Sequence, residues 1–338
     1  MKTLQNSIFF ALILMLFYGC NILPYPKQNQ TFSAIFLGDS HIATDDMASG
    51  FKNELFDKIN SPGFATALLP KYHLNSEISY QNNGFEILNS QNNNNAKKYG
   101  FCGVNALAKD SGASIELDAK NFNTLFNFQI SFIGDISIID DTKKSYKISN
   151  NTQNFKSESL KLKFPIKIIA NKKNTTISNY KITTNTPIYV SSCGINGASS
   201  GLYKKWQINK NDLNYDLVVI AYGTNDAFND NLDEAKFYQN LKELITIIKS
   251  ANKNAKILLL SPPPTPKPKF TNVKNMIKKL AKDEKTLFYD IEDFINKTGS
   301  KTKWIEQGLS QKDIHLTRQG YKKVGENIAK TLKNKILK

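Results

Sequence analysis

Arginine is nearly absent from this chain. Arg318 is the only one, so the formal net charge of +16 comes from 45 Lys+Arg residues that are otherwise all lysine. Lysine brings charge without the planar bidentate fork that grips phosphates and guanine edges, which counts against nucleic acid as a partner. The lysines are spread along the chain rather than bunched, so the charge reads as a diffuse field favouring anionic surfaces such as a cell-wall polymer. Histidine is scarce too, with only His41, His73 and His315, so a base working near neutral pH has three candidates. Cysteine is limited to Cys20, Cys102 and Cys193, at no recognisable metal spacing, and neither a metal nor a cofactor is expected. The apolar run from Ile8 to Tyr18 is too short for a comfortable membrane span but suits the core of a secretory signal.

Residues 1–20 are therefore read as an export signal and 21–31, with Pro24 and Pro26, as a linker. Gly19-Cys20 resembles a bacterial lipoprotein cleavage site, at which Cys20 would be lipidated; a signal cleaved elsewhere or kept as an anchor is the other reading. The expected location is the periplasm or cell envelope, with membrane contact only through the signal or a lipid. In that oxidising compartment Cys102 and Cys193 either pair or stay as buried thiols.

Beyond the linker, "FSAIFLG", "DLVVIAYG", "AKILLLS" and "TLFYDI" are short apolar runs accompanied by helical patterns. Examples are Met47, Phe51, Leu55 and Ile59; Leu232 through Ile248; and Tyr321 through Leu332. Near-continuous apolar strands alternating with amphipathic helices predict a parallel sheet covered on both faces, over 32–74 and 188–338. Residues 75–187 differ: "ISFIGDISI" and "LKLKFPIKI" alternate apolar and polar residues between turn signals, which predicts an inserted antiparallel β-sandwich. Its aromatics and their neighbours, Phe101, Tyr180 and Trp206 among them, are read first as core and second as surfaces for sugars.

Four stretches carry chemistry: Gly38-Asp39-Ser40-His41, "GINGASS", "AYGTNDA" and "KDIHLTRQGY". An acyl-transfer site needs a nucleophile, a base, a group that orients the base, and donors for the oxyanion. Ser40 follows the first strand. His41 is a poor base for its own sequence neighbour, and His73 has no carboxylate near it and reads as a surface or packing residue. That leaves His315, with Asp313 two residues before it to hold its tautomer. Ser40 N–H, Gly197 N–H and the Asn225 amide are the candidate oxyanion donors. Taken alone, Asn225-Asp226 would read as a helix cap and Gly197 as a turn. "GASSG" also fits a nucleophile elbow at Ser199, which would leave the other blocks without a role. The acidic pairs Asp45-Asp46 and Asp140-Asp141 read as solvated loop residues.

Taken in order, these blocks resemble the SGNH or GDSL hydrolase family: Ser in a GDS block, then Gly, then Asn in G-x-N-D, then His after an Asp near the C-terminus. The resemblance implies an α/β fold, a three-layer α/β/α sandwich with a five-stranded parallel sheet of flavodoxin-like type, here carrying an insert similar to a carbohydrate-binding module. It implies a carboxylic ester hydrolase with catalytic Ser40, Asp313 and His315 and an oxyanion hole of Ser40, Gly197 and Asn225. The family usually places the acid three residues before the histidine, where this chain has Lys312; Asp313 is the carboxylate within reach. Export, basic charge and the insert are together similar to bacterial peptidoglycan O-acetylesterases. That likeness implies removal of acetyl from O6 of N-acetylmuramic acid, with O-acetylated peptidoglycan as partner. A related O-acetyltransferase and a non-catalytic wall-binding protein are the alternatives.

Overall fold

A computed structural model describes residues 31–92, 98–119, 121–228, 232–265 and 269–337. Residues 1–30, on which the export-signal reading, Cys20 and most of the expected linker fall, lie outside the described residues. Five short apolar runs form a parallel sheet: β1 (Phe32–Gly38), β2 (Ile188–Gly194), β3 (Leu217–Ala221), β4 (Lys256–Leu260) and β5 (Leu287–Tyr289), in the order β2-β1-β3-β4-β5. Helices α1 (Ser40–Ala43) and α2 (Asp46–Leu55) follow β1, and α3 (Thr224–Phe228) and α4 (Glu234–Ala251) follow β3. Helix α5 (Lys269–Asp283) follows β4, and α6 (Ile291–Lys297), α7 (Lys301–Glu306) and α8 (Arg318–Ile336) follow β5.

The strands are apolar at nearly every position because both faces are covered, and alternate residues serve opposite layers. Ile35, Leu37, Val218 and Ile220 pack with Leu241 and Ile245 of α4 and Ile277 of α5. Ala34, Phe36, Leu217 and Val219 pack with Phe51 and Leu55 of α2 and Val324 and Ile328 of α8. The helical spacing read through Ile59 stops early: α2 ends at Leu55, and Phe56 is already extended. Asn60-Ser61-Pro62 follow, and Ile59 turns to the core of the other sheet.

That other sheet is antiparallel and ten-stranded, with its strands between Gly63 and Thr183. Its first strand, Gly63–Thr66, lies upstream of residue 75 and pairs with Thr176–Thr183. The long strand Phe126–Ile139 runs through the whole assembly. Before Gly134 it pairs with Lys156–Leu162 and Thr176–Thr183, and from Gly134 onward with Ser145–Asn150 and Ile166–Ala170. Gly134, at φ +104°, marks the change of partners. Phe128, Ile130, Ile136 and Ile138 on its inner face meet Ile115, Leu117, Ile168 and Tyr180 in one core.

The two sheets share packing: Phe64, Leu88, Tyr99, Phe101 and Trp206 join Ile35 and Leu37 in the same apolar cluster. Residues 31–338 make one compact unit. Cys102 and Cys193, both buried, are disulfide-bonded with a Cα separation of 5.5 Å, tying the insert to the carboxyl end of β2. Closing a loop of sequence separation 91 restricts the unfolded chain strongly. Replacing both cysteines by serine is expected to cost about 2–4 kcal/mol of stability, seen as a lower denaturant midpoint. An unchanged midpoint would mean that the packing around Phe101 alone holds this junction.

Candidate active site

In the strand order β2-β1-β3-β4-β5 the chain steps from β1 to one neighbour and then crosses to the other. The carboxyl ends of β1 and β3 therefore flank the switch point, where an open α/β sheet leaves a crevice. Ser40 follows β1 and Asn225 follows β3.

Ser40 opens α1, and Asp39 caps that helix by accepting the His41 N–H at 3.0 Å. Gly194, at the end of β2, lets the turn sit low on the sheet. A Cβ there would lie 2.3 Å from Ala43 N and 2.4 Å from the Ile42 carbonyl carbon, so no other residue fits. Gly194 opens the "GINGASS" stretch, but of its two glycines the sequence singles out only Gly197 for a role.

His315 arrives on the loop between α7 and α8, held by Gln311 N–H donating to its carbonyl at 2.9 Å. Its Nε2 lies 3.0 Å from Ser40 Oγ, and its Nδ1 lies 2.9 Å from Asp313 Oδ2. The other carboxylate oxygen of Asp313 accepts the His315 backbone N–H at 2.8 Å. The two-residue spacing thus lets one carboxylate hold both backbone and ring of the same histidine. Lys301 donates to the Asp313 carbonyl and, at 3.3 Å, to that of Pro264, bracing the loop from outside. Burial works against ionisation of Asp313, but the hydrogen bonds from His315 and the charge of Lys301 outweigh it and hold the carboxyl below its ordinary range. With Asp313 anionic, Nδ1 carries the proton and the Nε2 lone pair faces the serine.

His41 does something else. Its Nδ1 is 2.7 Å from Tyr321 Oη, and its ring packs 5.4 Å from that of His315. Burial, then the nearby charges of His315 and Lys301, push its pKa down to about 3, so it stays neutral. Burial likewise pushes Asp39 up to about 7, partly offset by its bonds from His41 and Thr224.

Gly197 sits at the third position of a turn closed by Ala198 N–H on Ile195 O at 3.1 Å. Its φ of +77° is what a type II turn demands there, and the turn leaves its own N–H unused. Asn225 Nδ2 donates to Ala198 O at 2.9 Å, and Asp226 accepts the Ser200 N–H and hydroxyl, the latter at 2.8 Å. Both side chains therefore brace the 197–200 loop, and one N–H of the Asn225 amide remains. Ser40, Gly197, Asn225 and His315 all line one cavity of about 600 Å³, together with Thr44 and Tyr72.

Ser199, the other serine weighed as a nucleophile, lines a neighbouring cavity with Gln91, Lys204 and Asn240; Asn225 borders both cavities, but His315 is not among the walls of this one. His73 is buried, a packing residue. Phe101, Tyr180 and Trp206 are buried as well. One member of each acidic pair departs from the solvated loop expected of it, while Asp141 is exposed as expected: Asp46 is buried against Arg318 at 3.1 Å, and Asp140 is buried where its carboxylate closes a turn through Thr142. Each carboxylate has found a donor inside the fold, which solvent would otherwise supply.

A hydroxyl in line with an imidazole and a carboxylate, opening on a cavity whose walls include residues with N–H groups to offer, is equipped for nucleophilic attack on a carbonyl. Residues 173–323 match the GDSL-like Lipase/Acylhydrolase family. The fold is similar to a solved structure of a peptidoglycan O-acetylesterase, with TM-score 0.81 and 23% identity over 92% of this chain and 93% of that one. A family two carbohydrate esterase from Cellvibrio japonicus aligns with TM-score 0.35 and 11% identity over 77% of this chain and 99% of that one. No curated protein matches the chain in sequence.

Proposed function

We propose that this chain is a carboxylic ester hydrolase, as the match of residues 173–323 to the GDSL-like lipase/acylhydrolase family suggests, and that it removes the acetyl group from O6 of N-acetylmuramic acid in peptidoglycan. The observation that carries the chemistry is the continuous line Ser40 Oγ, His315 Nε2, His315 Nδ1, Asp313 Oδ2 at the mouth of the cavity. Support for the substrate comes from the shared fold, insert included, over 92% of the chain. The diffuse lysine charge suits an anionic wall polymer.

In this mechanism Ser40 Oγ attacks the acetyl carbonyl carbon as His315 Nε2 takes its proton. The N–H groups of Ser40 and Gly197 and the Asn225 amide stabilise the negative charge that develops on the carbonyl oxygen. Ser40 N–H is free for this because the first N–H groups of a helix have no acceptor within it. Collapse of the tetrahedral intermediate breaks the bond to the sugar oxygen, which receives the proton from His315. Water then gives a proton to the same imidazole and attacks the acetyl carbon; the bond to Ser40 Oγ breaks, Oγ takes the proton back from His315, and acetate leaves. Asp313 orients the ring and offsets its positive charge throughout. The enzyme works in the cell envelope in this reading, to which the apolar run at Ile8–Tyr18 and the Cys102–Cys193 disulfide lend support.

The test is acetate release from O-acetylated peptidoglycan by the protein lacking its first twenty residues. Free acetate in proportion to ester lost supports the hydrolase. Ester moved onto an added muramyl acceptor without free acetate would make it a transferase, and binding without any turnover would make it a wall-binding protein. Asn225→Ala is expected to lower kcat and kcat/KM together by about 10²- to 10³-fold, because its donor serves the transition state more than the ground state. Near-normal turnover would reduce Asn225 to a brace for the 197–200 loop.

A further inference from the structure

The most exposed of the large hydrophobic side chains among the described residues is an aromatic at the rim of the reaction cavity. Tyr72 is 72% exposed and lines the cavity with Ser40 and His315. Its backbone is in the left-handed region, φ +68°, a conformation that a bulky side chain adopts at a free-energy cost. Neither exposure nor strain stabilises the fold. A residue kept under both is a candidate for function.

The turn that presents Tyr72 is built rather than loose. His73 N–H donates to Pro70 O at 3.0 Å, and Asn196 Nδ2 donates to Lys71 O at 3.3 Å. The buried His73 ring stands between two carbonyls, its Nδ1 3.2 Å from Lys71 O and its Nε2 3.1 Å from Gly194 O. A neutral imidazole has one N–H and donates to one of these at a time, while its body fills the space between them. Gly194 is the residue on which the Ser40 turn rests, so His73 links the turn carrying Tyr72 to the turn carrying the nucleophile. Lys71 Nζ lies 4.8 Å from the centroid of the Tyr72 ring.

We propose that Tyr72 is a stacking platform for the sugar ring that bears the ester, and that His73 is the positioning residue which fixes its distance from Ser40; this rests on the glycan reading above. The C–H face of a pyranose is apolar, and a rigid aromatic held beside a nucleophile accepts it at low entropic cost. Such binding, remote from the reacting carbon, is shared by ground and transition states. It appears in KM rather than in kcat.

The experiment compares wild type, Tyr72→Ala, Tyr72→Trp and Tyr72→Gly on three esters: O-acetylated peptidoglycan, acetylated xylan and p-nitrophenyl acetate, which has no sugar. Tyr72→Ala is expected to raise KM for the glycan about five- to tenfold at unchanged kcat, with p-nitrophenyl acetate hydrolysed as by wild type. Tyr72→Trp is expected to restore the glycan KM. Tyr72→Gly is expected to bind glycan as poorly as Tyr72→Ala but to melt about 1–3 °C above wild type, since glycine relieves the backbone strain. An unchanged glycan KM in Tyr72→Ala, or equal losses on glycan and p-nitrophenyl acetate, overturns the platform. If wild type hydrolyses acetylated xylan but not peptidoglycan, the muramyl reading fails, and the same comparison on xylan still decides the role of Tyr72.

Discussion

Ser40→Ala is expected to lower acetate release by roughly 10⁴- to 10⁶-fold while leaving the protein folded. The hydroxyl bonds to His315 Nε2 at 3.0 Å on the cavity side of a turn that is held by other groups. Asp39 caps α1, Gly194 lies beneath it, and the buried Ile42 anchors it to the core, so none of the support for that turn runs through Ser40 Oγ. Deleting one oxygen removes the nucleophile and leaves a histidine that solvent can reach. The checks are acetate release and thermal melting of the same preparation. A folded variant with substantial turnover would remove Ser40 from the mechanism, and Ser199→Ala run beside it shows whether the other serine has any part.

Asp313→Asn should be the more informative of the two large effects, with a fall in kcat of about 10³- to 10⁴-fold. In the native loop Asp313 accepts twice from one residue, from the His315 backbone N–H at 2.8 Å and from its Nδ1–H at 2.9 Å. An asparagine would keep its carbonyl oxygen on the backbone N–H and turn its NH2 toward Nδ1. The ring then accepts at Nδ1 and carries its proton on Nε2, facing Ser40 with no lone pair to receive a proton. Asp313→Ala is expected to be the milder change, because the Asp313 side chain is 57% exposed and water can take its place at Nδ1. Turnover measured for both variants checks the order Ala above Asn. Near-normal activity in Asp313→Asn would show that something other than this carboxylate orients the imidazole.

Much of the parallel-sheet half was legible because its signals are local. An apolar run buried on both faces reads as such without knowing its neighbours, and the five strands fall where apolar runs end in glycine or lead into amphipathic helices. Ser40, Gly197, Asn225 and His315 were visible as separate blocks at strand and helix ends, where an open parallel sheet exposes side chains. Less legible was everything that depends on which blocks face one another. Helical spacing continued to Ile59 by coincidence, while the chain had already turned toward the antiparallel sheet. Asp46 looked like a solvated loop acid because its partner, Arg318, is 272 positions away. Phe101, Tyr180 and Trp206, read first as core, are core, while Tyr72, the most exposed aromatic among the described residues, lies in a stretch with no periodicity to mark it.

The sequence by itself determined the kinds of element, the order of the chemistry-bearing blocks and the short list of groups able to serve as base. With three histidines, one of them the sequence neighbour of Ser40 and another without a carboxylate near it, the sequence narrowed the choice to His315. Tertiary structure alone decided which serine meets His315, that Asp313 reaches both its backbone and its ring, that Cys102 pairs with Cys193, and that His41 is closed off by Tyr321. The physical reason is one of range. Strand and helix signals come from the hydration and backbone geometry of neighbouring residues, whereas a hydrogen bond spanning 275 positions exists only after the strand order β2-β1-β3-β4-β5 has brought the carboxyl ends of β1 and β3 beside the loop that carries His315.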